Sequence, residues 1–276
     1  MSKIYTIIES GSTGPLSWRE IWRYRELFWM LAWRNIVVRY KQTVLGMLWA
    51  VGRPLATMVA FSVIFHRIAG LHGPSGVPYP MLVFSGVLIW QCFSGMVSYG
   101  CDALVGNRGL VTKVYFPRVI IPVSGVIVCL VDFLLTLIVF AAAYCIWCRG
   151  VFSWRVALFP LTLLPMVLCA LGLIFFFSAV NVRYRDFCHV VPFLLQLGLF
   201  VSPVGYAGAA IPTGAWRIAA ALNPLYGVIG TARWSLFGVA VEPWWAALTA
   251  GVESLLIFFI GLAVFRKQEK SFSDYI

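Results

Sequence analysis

Long apolar runs separated by short basic connections dominate the chain. A transmembrane helix needs about 20 predominantly apolar residues to cross the hydrocarbon core of a bilayer, and the runs have about this length or more. They lie at about 46–69, 80–103, 118–147, 156–180, 189–207 and 244–265. The pattern predicts an all-α membrane protein with six transmembrane helices.

The composition supports a membrane location. Hydrophobic residues make up 61% of the chain and charged residues 11%, whereas soluble domains have about 45–50% apolar and about 25% charged residues. Because the apolar runs cover most of the length, we expect one transmembrane domain over residues 43–266. We expect a cytoplasmic N-terminal segment at 1–42 and a cytoplasmic tail at 267–276.

The basic residues predict the topology. The net charge is +11, which in a soluble protein would suggest nucleic-acid binding. Here most Lys and Arg residues fall in the N-terminal segment, in alternate connections and in the tail. The positive-inside rule assigns such segments to the cytoplasm. We therefore expect a multi-pass inner-membrane protein with both termini cytoplasmic, which requires an even number of spans.

An amphipathic helix is predicted before the first span, over residues 17–41. Ser17 and Glu20 form the S-x-x-E pattern of a capping box, which marks a helix start. At about 100° per residue, the charged side chains fall mostly on one arc and the tryptophans largely off it. This is typical of a helix lying in the membrane interface, although an amphipathic helix packed on protein is the alternative.

The stretch after the fifth run is too apolar for a free loop and too broken for a span. Pro212, Gly214, Pro224 and Gly230 interrupt it. We expect a re-entrant pair of short helices at about 208–241 on the outer side. Such backbone is tolerated only where protein or a water-filled cavity satisfies it, which indicates a translocation path. The alternative is a hairpin with a packing role alone.

Three carboxylates within the runs are candidate functional groups. Asp132 lies near the middle of the third run, Glu253 lies near the middle of the sixth, and Asp102 closes the second. A carboxylate in hydrocarbon is costly unless it is paired, protonated or hydrated, so Asp132 and Glu253 are expected to face the bundle or a cavity. They are candidates for a proton relay or for hydrogen bonds that hold helices together.

The sequence contains no constellation for catalysis or metal binding. His66, His72 and His189 are scattered over both predicted membrane sides. Cys145 and Cys148 form a C-x-x-C pair without the second pair or the histidines of a metal site. The dipeptide Gly-Lys of a phosphate-binding loop never occurs. We predict a chain that is not an enzyme, with no catalytic residue, metal or cofactor of its own, so transport would take its energy from a partner or a gradient.

Two connections on the predicted cytoplasmic side carry apolar and aromatic side chains among basic ones. They are residues 106–118 and 181–187. Exposed apolar groups rimmed by charge suggest a docking surface. The charged residues of the second connection could instead form internal salt bridges or bind lipid head groups.

Five stretches in order along the chain carry a family resemblance. They are R-Y-K-Q-T-V-L-G-M-L-W at 39–49, N-R-G-L-V-T-K-V-Y-F-P-R at 107–118, N-V-R-Y-R-D-F at 181–187, S-P-V-G-Y at 202–206 and L-N-P-L at 222–225. With them, the chain resembles the permease subunit of polysaccharide ABC exporters, which move lipid-linked O-antigen, capsule or teichoic-acid chains. The resemblance covers nearly the whole chain.

The resemblance implies a homodimer that works with two copies of a separate ATPase subunit, which would bind ATP and Mg²⁺, and exports a lipid-linked polysaccharide. The implied ATPase-coupling residues are Asn107, Arg108, Gly109, Leu110, Lys113, Tyr115, Phe116, Arg118, Arg183, Arg185 and Asp186. The implied outer re-entrant gate comprises Tyr206, Pro212, Trp216, Asn223 and Pro224. The alternatives are an ABC permease for drugs or small lipids, a proton-coupled secondary transporter that uses Asp132 and Glu253, and a membrane transferase, for which the sequence offers only scattered groups.

Overall fold

The computed structural model contains only helices and loops in the residues that it describes, which are 22–41, 46–74, 76–114, 116–147, 153–212, 214–241, 243–269 and 272. The helices are α1 (Arg25–Lys41), α2 (Gly46–Phe61), α3 (Tyr79–Gly106), α4 (Arg108–Lys113), α5 (Ile120–Trp147), α6 (Phe159–Thr162), α7 (Leu164–Arg183), α8 (Phe187–Val201), α9 (Ala215–Ala221), α10 (Pro224–Phe237) and α11 (Ala246–Glu269). A π-helical segment at Ser62–Ile68 extends α2, and 3₁₀ turns lie at Trp154–Leu158 and Gly208–Ala210. The predicted all-α class is confirmed. The predictions for Ser17, Glu20, Tyr115 and Cys148 fall outside the described residues.

Within the described residues, five helical stretches are long and apolar enough to cross a membrane. They are Leu48–Ile68, Tyr79–Gly106, Ile120–Trp147, Trp154–Arg183 and Ala246–Glu269. They coincide with the first four predicted runs and the sixth, with ends that differ by a few residues. The positions of these five candidate spans thus follow the apolar pattern along the chain.

The fifth predicted run contains α8, which is shorter than expected. Its 15 residues extend about 22 Å at 1.5 Å per residue, against about 30 Å of hydrocarbon. Ser202 leaves the helical geometry, with φ −83° and ψ 148°, because the proline that follows it disfavours the α conformation at the preceding residue. The count of six spans therefore stays a prediction.

The predicted cytoplasmic connections meet at one end of the bundle, which we call the α4 end. Asn181 Nδ2 donates to Asp102 Oδ1 at 3.1 Å, and this contact joins the end of α7 to the end of α3. Arg118, in the loop before α5, donates to the main-chain carbonyl of Glu269 at the end of α11. Long-range hydrogen bonds thus fix the register of four helices at this end.

Helix α1 packs on the α4 end with one face and leaves the opposite face exposed. Leu31 is 3% exposed and Asn35 is 8% exposed, whereas Trp22, Trp29 and Trp33 are each more than 60% exposed. At about 100° per residue, the tryptophan stripe lies opposite the Leu31–Asn35 stripe. The alternative of packing on protein therefore describes the face with Leu31 and Asn35. The opposite face, with the tryptophans, is suited to a membrane interface.

Glycines allow α7 and α11 to pack backbone against backbone. A Cβ atom added to Gly261 would lie 1.9 Å from the carbonyl oxygen of Gly172. One added to Gly172 would lie 2.5 Å from the carbonyl oxygen of Ile257. Small residues at helix contacts permit this close approach in membrane proteins, so side chains at these two positions would separate the helices.

We expect Gly261→Ala to lower the free energy of unfolding by about 1–3 kcal/mol, the usual cost of overpacking. The control is Gly251→Ala in the same helix, where a Cβ atom meets nothing within 4 Å. Thermal unfolding of both variants in the same detergent measures the difference. Equal melting temperatures for the two variants would contradict the backbone contact.

Candidate functional site

A cavity of about 890 Å³ lies between α2, α3 and α5. Arg39 of α1 and Leu199 of α8 complete its lining. Its walls combine charged, polar and aromatic side chains, among them Arg39, Arg53, Gln91, Trp90, Asp102 and Asp132. Ionisable and polar groups within spanning helices mark substrate or ion pathways. This cavity is therefore the candidate translocation site.

Asp132 lies in the cavity wall and is bound by the end of α1. Its Oδ2 lies 2.6 Å from Arg39 Nη2, and the Tyr40 hydroxyl donates to its Oδ1. Burial first, and then this hydrogen bond, raise the pKa of Tyr40, so the hydroxyl keeps its proton and remains a donor. The contacts of Asp132 are those of a carboxylate that holds two helices together.

The other two predicted carboxylates occupy different surroundings. Asp102 lines the cavity and accepts the hydrogen bond from Asn181. Glu253 lies on α11, which contributes no residue to the cavity lining, and its Oε2 is buried without a hydrogen-bond partner among the described residues. The structure therefore does not bring Asp132 and Glu253 into one site, as a direct proton relay between them would need.

Among the predicted ATPase-coupling residues, most of the exposed ones are charged. Arg108, Gly109 and Lys113 on α4 are exposed, and so are the three charged residues of the second connection. These three are Arg183, Arg185 and Asp186. Both groups lie at the α4 end, where Asn181 of α7 contacts Asp102 of α3. We call these six residues the basic face.

The remaining predicted coupling residues hold the α4 end together. Asn107 accepts from Arg34 Nη2 at 2.5 Å and donates through Nδ2 to the Ala103 carbonyl oxygen at 2.8 Å. Leu110 is half-buried. Arg118 also donates through its main-chain nitrogen to Glu269 Oε1 at 3.3 Å. Asn107 and Arg118 are thus already committed to internal hydrogen bonds.

The expected exposure of the apolar residues in this segment is wrong for two of them. Phe116 is 5% exposed and Val111 is 4% exposed. Both belong to a hydrophobic cluster that also contains Phe265 and Phe272 from the C-terminal part of the chain. Burial against that distant segment removes Val111 and Phe116 from the docking surface, while Val114 remains exposed.

The broken segment forms two short helices, α9 and α10, at the end of the bundle opposite the α4 end. Asn223 caps α10, since its Oδ1 accepts from the Leu225 main-chain nitrogen at 3.0 Å, and Pro224 occupies the first turn. Of the predicted gate residues, Pro212 and Trp216 are exposed, and Trp216 is 74% exposed. Asn223 and Pro224 therefore shape the hairpin, and Trp216 is available for contact.

Arg233 of α10 is a buried cation for which the sequence analysis assigned no role. Its side chain is 3% exposed, and within the described residues its hydrogen-bond acceptors are neutral oxygens. They are Ser85 Oγ at 3.4 Å and the carbonyl oxygens of Leu82 at 3.0 Å, Val204 at 2.9 Å and Tyr206 at 2.8 Å. We call this set of contacts the Arg233 clamp, which joins α10, α3 and the loop at 202–206. In the sequence, the feature that could have indicated a role for Arg233 is that it is a lone arginine within an apolar stretch.

Gly86 makes room for the Arg233 clamp. A Cβ atom on Gly86 would lie 2.7 Å from the Val204 carbonyl oxygen and 2.9 Å from Arg233 Nη2. The hydroxyl of Tyr79, one turn before Leu82 on α3, donates to the Gly205 carbonyl oxygen. Two groups, the guanidinium of Arg233 and the hydroxyl of Tyr79, therefore hold the loop at 202–206 against the start of α3.

Comparisons with known proteins agree on one class. The model of the family described as ABC-2 type transporter matches residues 26–237. The O-antigen export system permease protein RfbA of Myxococcus xanthus is 29% identical over 262 residues, covering 94% of this chain and 98% of the relative. A protein of the same name from Klebsiella pneumoniae is 26% identical over 245 residues, covering 88% and 92%. The polysialic acid transport protein KpsM of Escherichia coli is 25% identical over 247 residues, covering 86% and 92%.

Proposed function

The chain belongs to the ABC-2 type transporter family, and on this premise we propose that it is the membrane permease subunit of an exporter for a lipid-linked polysaccharide. The observation that carries the proposal is the similarity over nearly the full length of both chains to permeases named for O-antigen export. The same proposal assigns the chain to the bacterial inner membrane with both termini in the cytoplasm.

The cavity supports a glycan as the substrate. Trp49 and Trp90 line it beside hydroxyl and amide groups such as those of Thr57 and Gln91. Sugar rings offer C–H faces to flat aromatic side chains and hydroxyl groups to polar ones. A wall that carries both kinds of surface suits a chain of sugars better than a purely apolar drug.

A second copy of the chain is proposed to close the cavity. The cavity is partly open, and Arg53 in its wall is exposed. Without a cover, such a charged group would face hydrocarbon, which is costly. Helix α8 beside it presents exposed Phe193, Leu197 and Phe200. A homodimer that joins two such half-channels would cover the polar walls and enclose one path.

The basic face is the proposed site of energy input. Members of this family work with an ATPase subunit, and two copies would bind the two basic faces of the dimer and hold ATP and Mg²⁺. Closure of the ATPase pair on ATP would push on α4, which follows α3 after one residue. Because α3 forms a wall of the cavity, the push would change the opening of the path. Nucleotide drives this change only through its different affinity for the two states.

The test is co-purification of the chain with the ATPase encoded beside it, followed by measurement of ATP hydrolysis in lipid nanodiscs. We expect a stable complex whose hydrolysis rate rises when lipid-linked polysaccharide is added. A complex with an ATPase variant that lacks its catalytic carboxylate gives the background rate. Stimulation by hydrophobic drugs, with none by the glycan, would contradict the proposal and favour a drug exporter.

A further inference from the structure

Arg53 is the cation of the cavity that has no counterion among the residues that the structure describes. Arg39, the other arginine of the lining, is paired with Asp132 at 2.6 Å. Among the described residues, no carboxylate lies within 4.0 Å of the Arg53 guanidinium group. An arginine within a spanning helix is costly unless an anion or water compensates it. A ligand that brings an anion would therefore bind here.

The neighbouring helix contacts fix Arg53 in the cavity wall. Ala50, Arg53 and Thr57 follow one another at helical spacing on the cavity face of α2. The Thr136 hydroxyl donates to the Ala50 carbonyl oxygen at 3.1 Å, and Gln91 Nε2 donates to Thr57 Oγ1 at 3.2 Å. Arg53 thus lies about one turn from a tie to α5 and one turn from a tie to α3, and its exposed side chain belongs to the cavity lining.

The groups around Arg53 indicate the kind of anion. A guanidinium group binds phosphate oxygens through two parallel hydrogen bonds. Trp49 precedes Arg53 by four residues on the same face of α2, and the residue is 65% exposed. A cation and a flat ring about one turn apart match a phosphate group joined to a sugar. Arg53 also lies about a quarter of the way along the first span, Leu48–Ile68, where the phosphate of a lipid can reach while its tail stays in the bilayer.

We propose that Arg53 binds the phosphate of the lipid-linked substrate inside the cavity, with Trp49 against the first sugar. This inference rests on the proposed function, and it adds the binding residue and the part of the substrate that it recognises. The phosphate of an ordinary phospholipid has the same chemistry, so the experiment separates the two sources.

The first measurement is binding of geranylgeranyl diphosphate, a lipid diphosphate without sugar, to the purified full chain by native mass spectrometry. We expect Arg53→Gln to weaken binding about tenfold or more, the effect of losing a charge-assisted pair. Arg53→Lys retains the charge and should keep part of the affinity, which also shows that the site tolerates replacement. The control is Arg67→Gln at the other end of the same helical stretch, outside the cavity lining, and should bind like the wild type.

Equal binding by the wild type and Arg53→Gln would overturn the inference, whatever the fate of the export proposal. Competition with phosphatidylglycerol identifies the source of the phosphate. We expect it to displace the diphosphate only at a concentration at least about tenfold higher, because a diphosphate carries more charge and more acceptor oxygens. Displacement at equal concentration would overturn the assignment to the substrate.

A second measurement uses the complex with the ATPase. The hydrolysis rate of each protein is expressed relative to its own unstimulated rate. The concentration of lipid-linked glycan that gives half-maximal stimulation should then be about tenfold higher for Arg53→Gln than for the wild type. If wild-type hydrolysis responds to the glycan and this concentration is unchanged in the variant, the role of Arg53 is refuted and the proposed function stands. If the wild type does not respond while diphosphate binding still depends on Arg53, the proposed function is refuted and the phosphate site stands.

Discussion

Arg233→Met is expected to lower the free energy of unfolding by about 3 kcal/mol. The substitution keeps an apolar stem of similar length and removes every donor of the Arg233 clamp. Each buried acceptor left without a donor costs about 1–3 kcal/mol. The desolvation cost of the guanidinium group is relieved at the same time, so the net loss is smaller than the sum. For a chain of this size we expect a fall of about 5–10 °C in melting temperature.

Two companion variants make this result specific to the clamp. Arg67→Met removes an exposed arginine and should unfold within about 1 °C of the wild type, as surface substitutions usually do. Arg233→Lys keeps the charge but cannot reach all the acceptors at once, so an intermediate melting temperature is expected. The clamp would be shown to contribute little if Arg233→Met and Arg67→Met unfold at the same temperature.

Reversal of two charges on α4 is expected to reduce ATPase binding strongly. Arg108→Glu combined with Lys113→Glu replaces two exposed cations of the basic face with anions. An ATPase surface complementary to the wild type would then meet like charges, which costs several kcal/mol. We expect the amount of co-purified ATPase to fall at least about tenfold, while the permease itself remains folded.

The matched control changes the net charge equally at a different place. Arg23→Glu combined with Lys267→Glu alters two exposed basic residues, one just before α1 and one on α11, outside the basic face. Quantitative pull-down at low and high salt compares the two double variants, since exposed charge pairs weaken with ionic strength. Normal ATPase recovery with the α4 variant would remove α4 from the contact surface.

The spanning helices could be predicted because each is encoded locally. Runs of apolar residues about as long as a bilayer is thick identify a helix without knowledge of its neighbours. The end of α8 was also visible in principle, because Pro203 follows Ser202 directly. The length of that run nevertheless suggested a full span, since apolar residues continue past the proline.

The candidate site was less predictable because its contacts are long-range. Asp132 stood out as a carboxylate in an apolar run, but its partners Arg39 and Tyr40 lie about 90 residues earlier. Phe116 looked exposed among basic neighbours, and only its packing in a cluster with Phe272 buries it. Pairings of this kind depend on helix register and crossing, which periodicity along one helix does not contain.

The glycine contact between α7 and α11 also bears on how the channel wall can move. Within the spanning window of α3, 78% of the residues are buried, and for α2 the share is 11%. Moving α3 relative to its neighbours would disrupt the packing of many buried residues. Separating α7 from α11 would break the close backbone contact at Gly172 and Gly261. A shift of α2 disturbs far fewer buried groups. We therefore expect α3, α7 and α11 to move together as one rigid unit, and α2, which carries Arg53, to be the cavity wall that shifts relative to that unit at the lowest energetic cost.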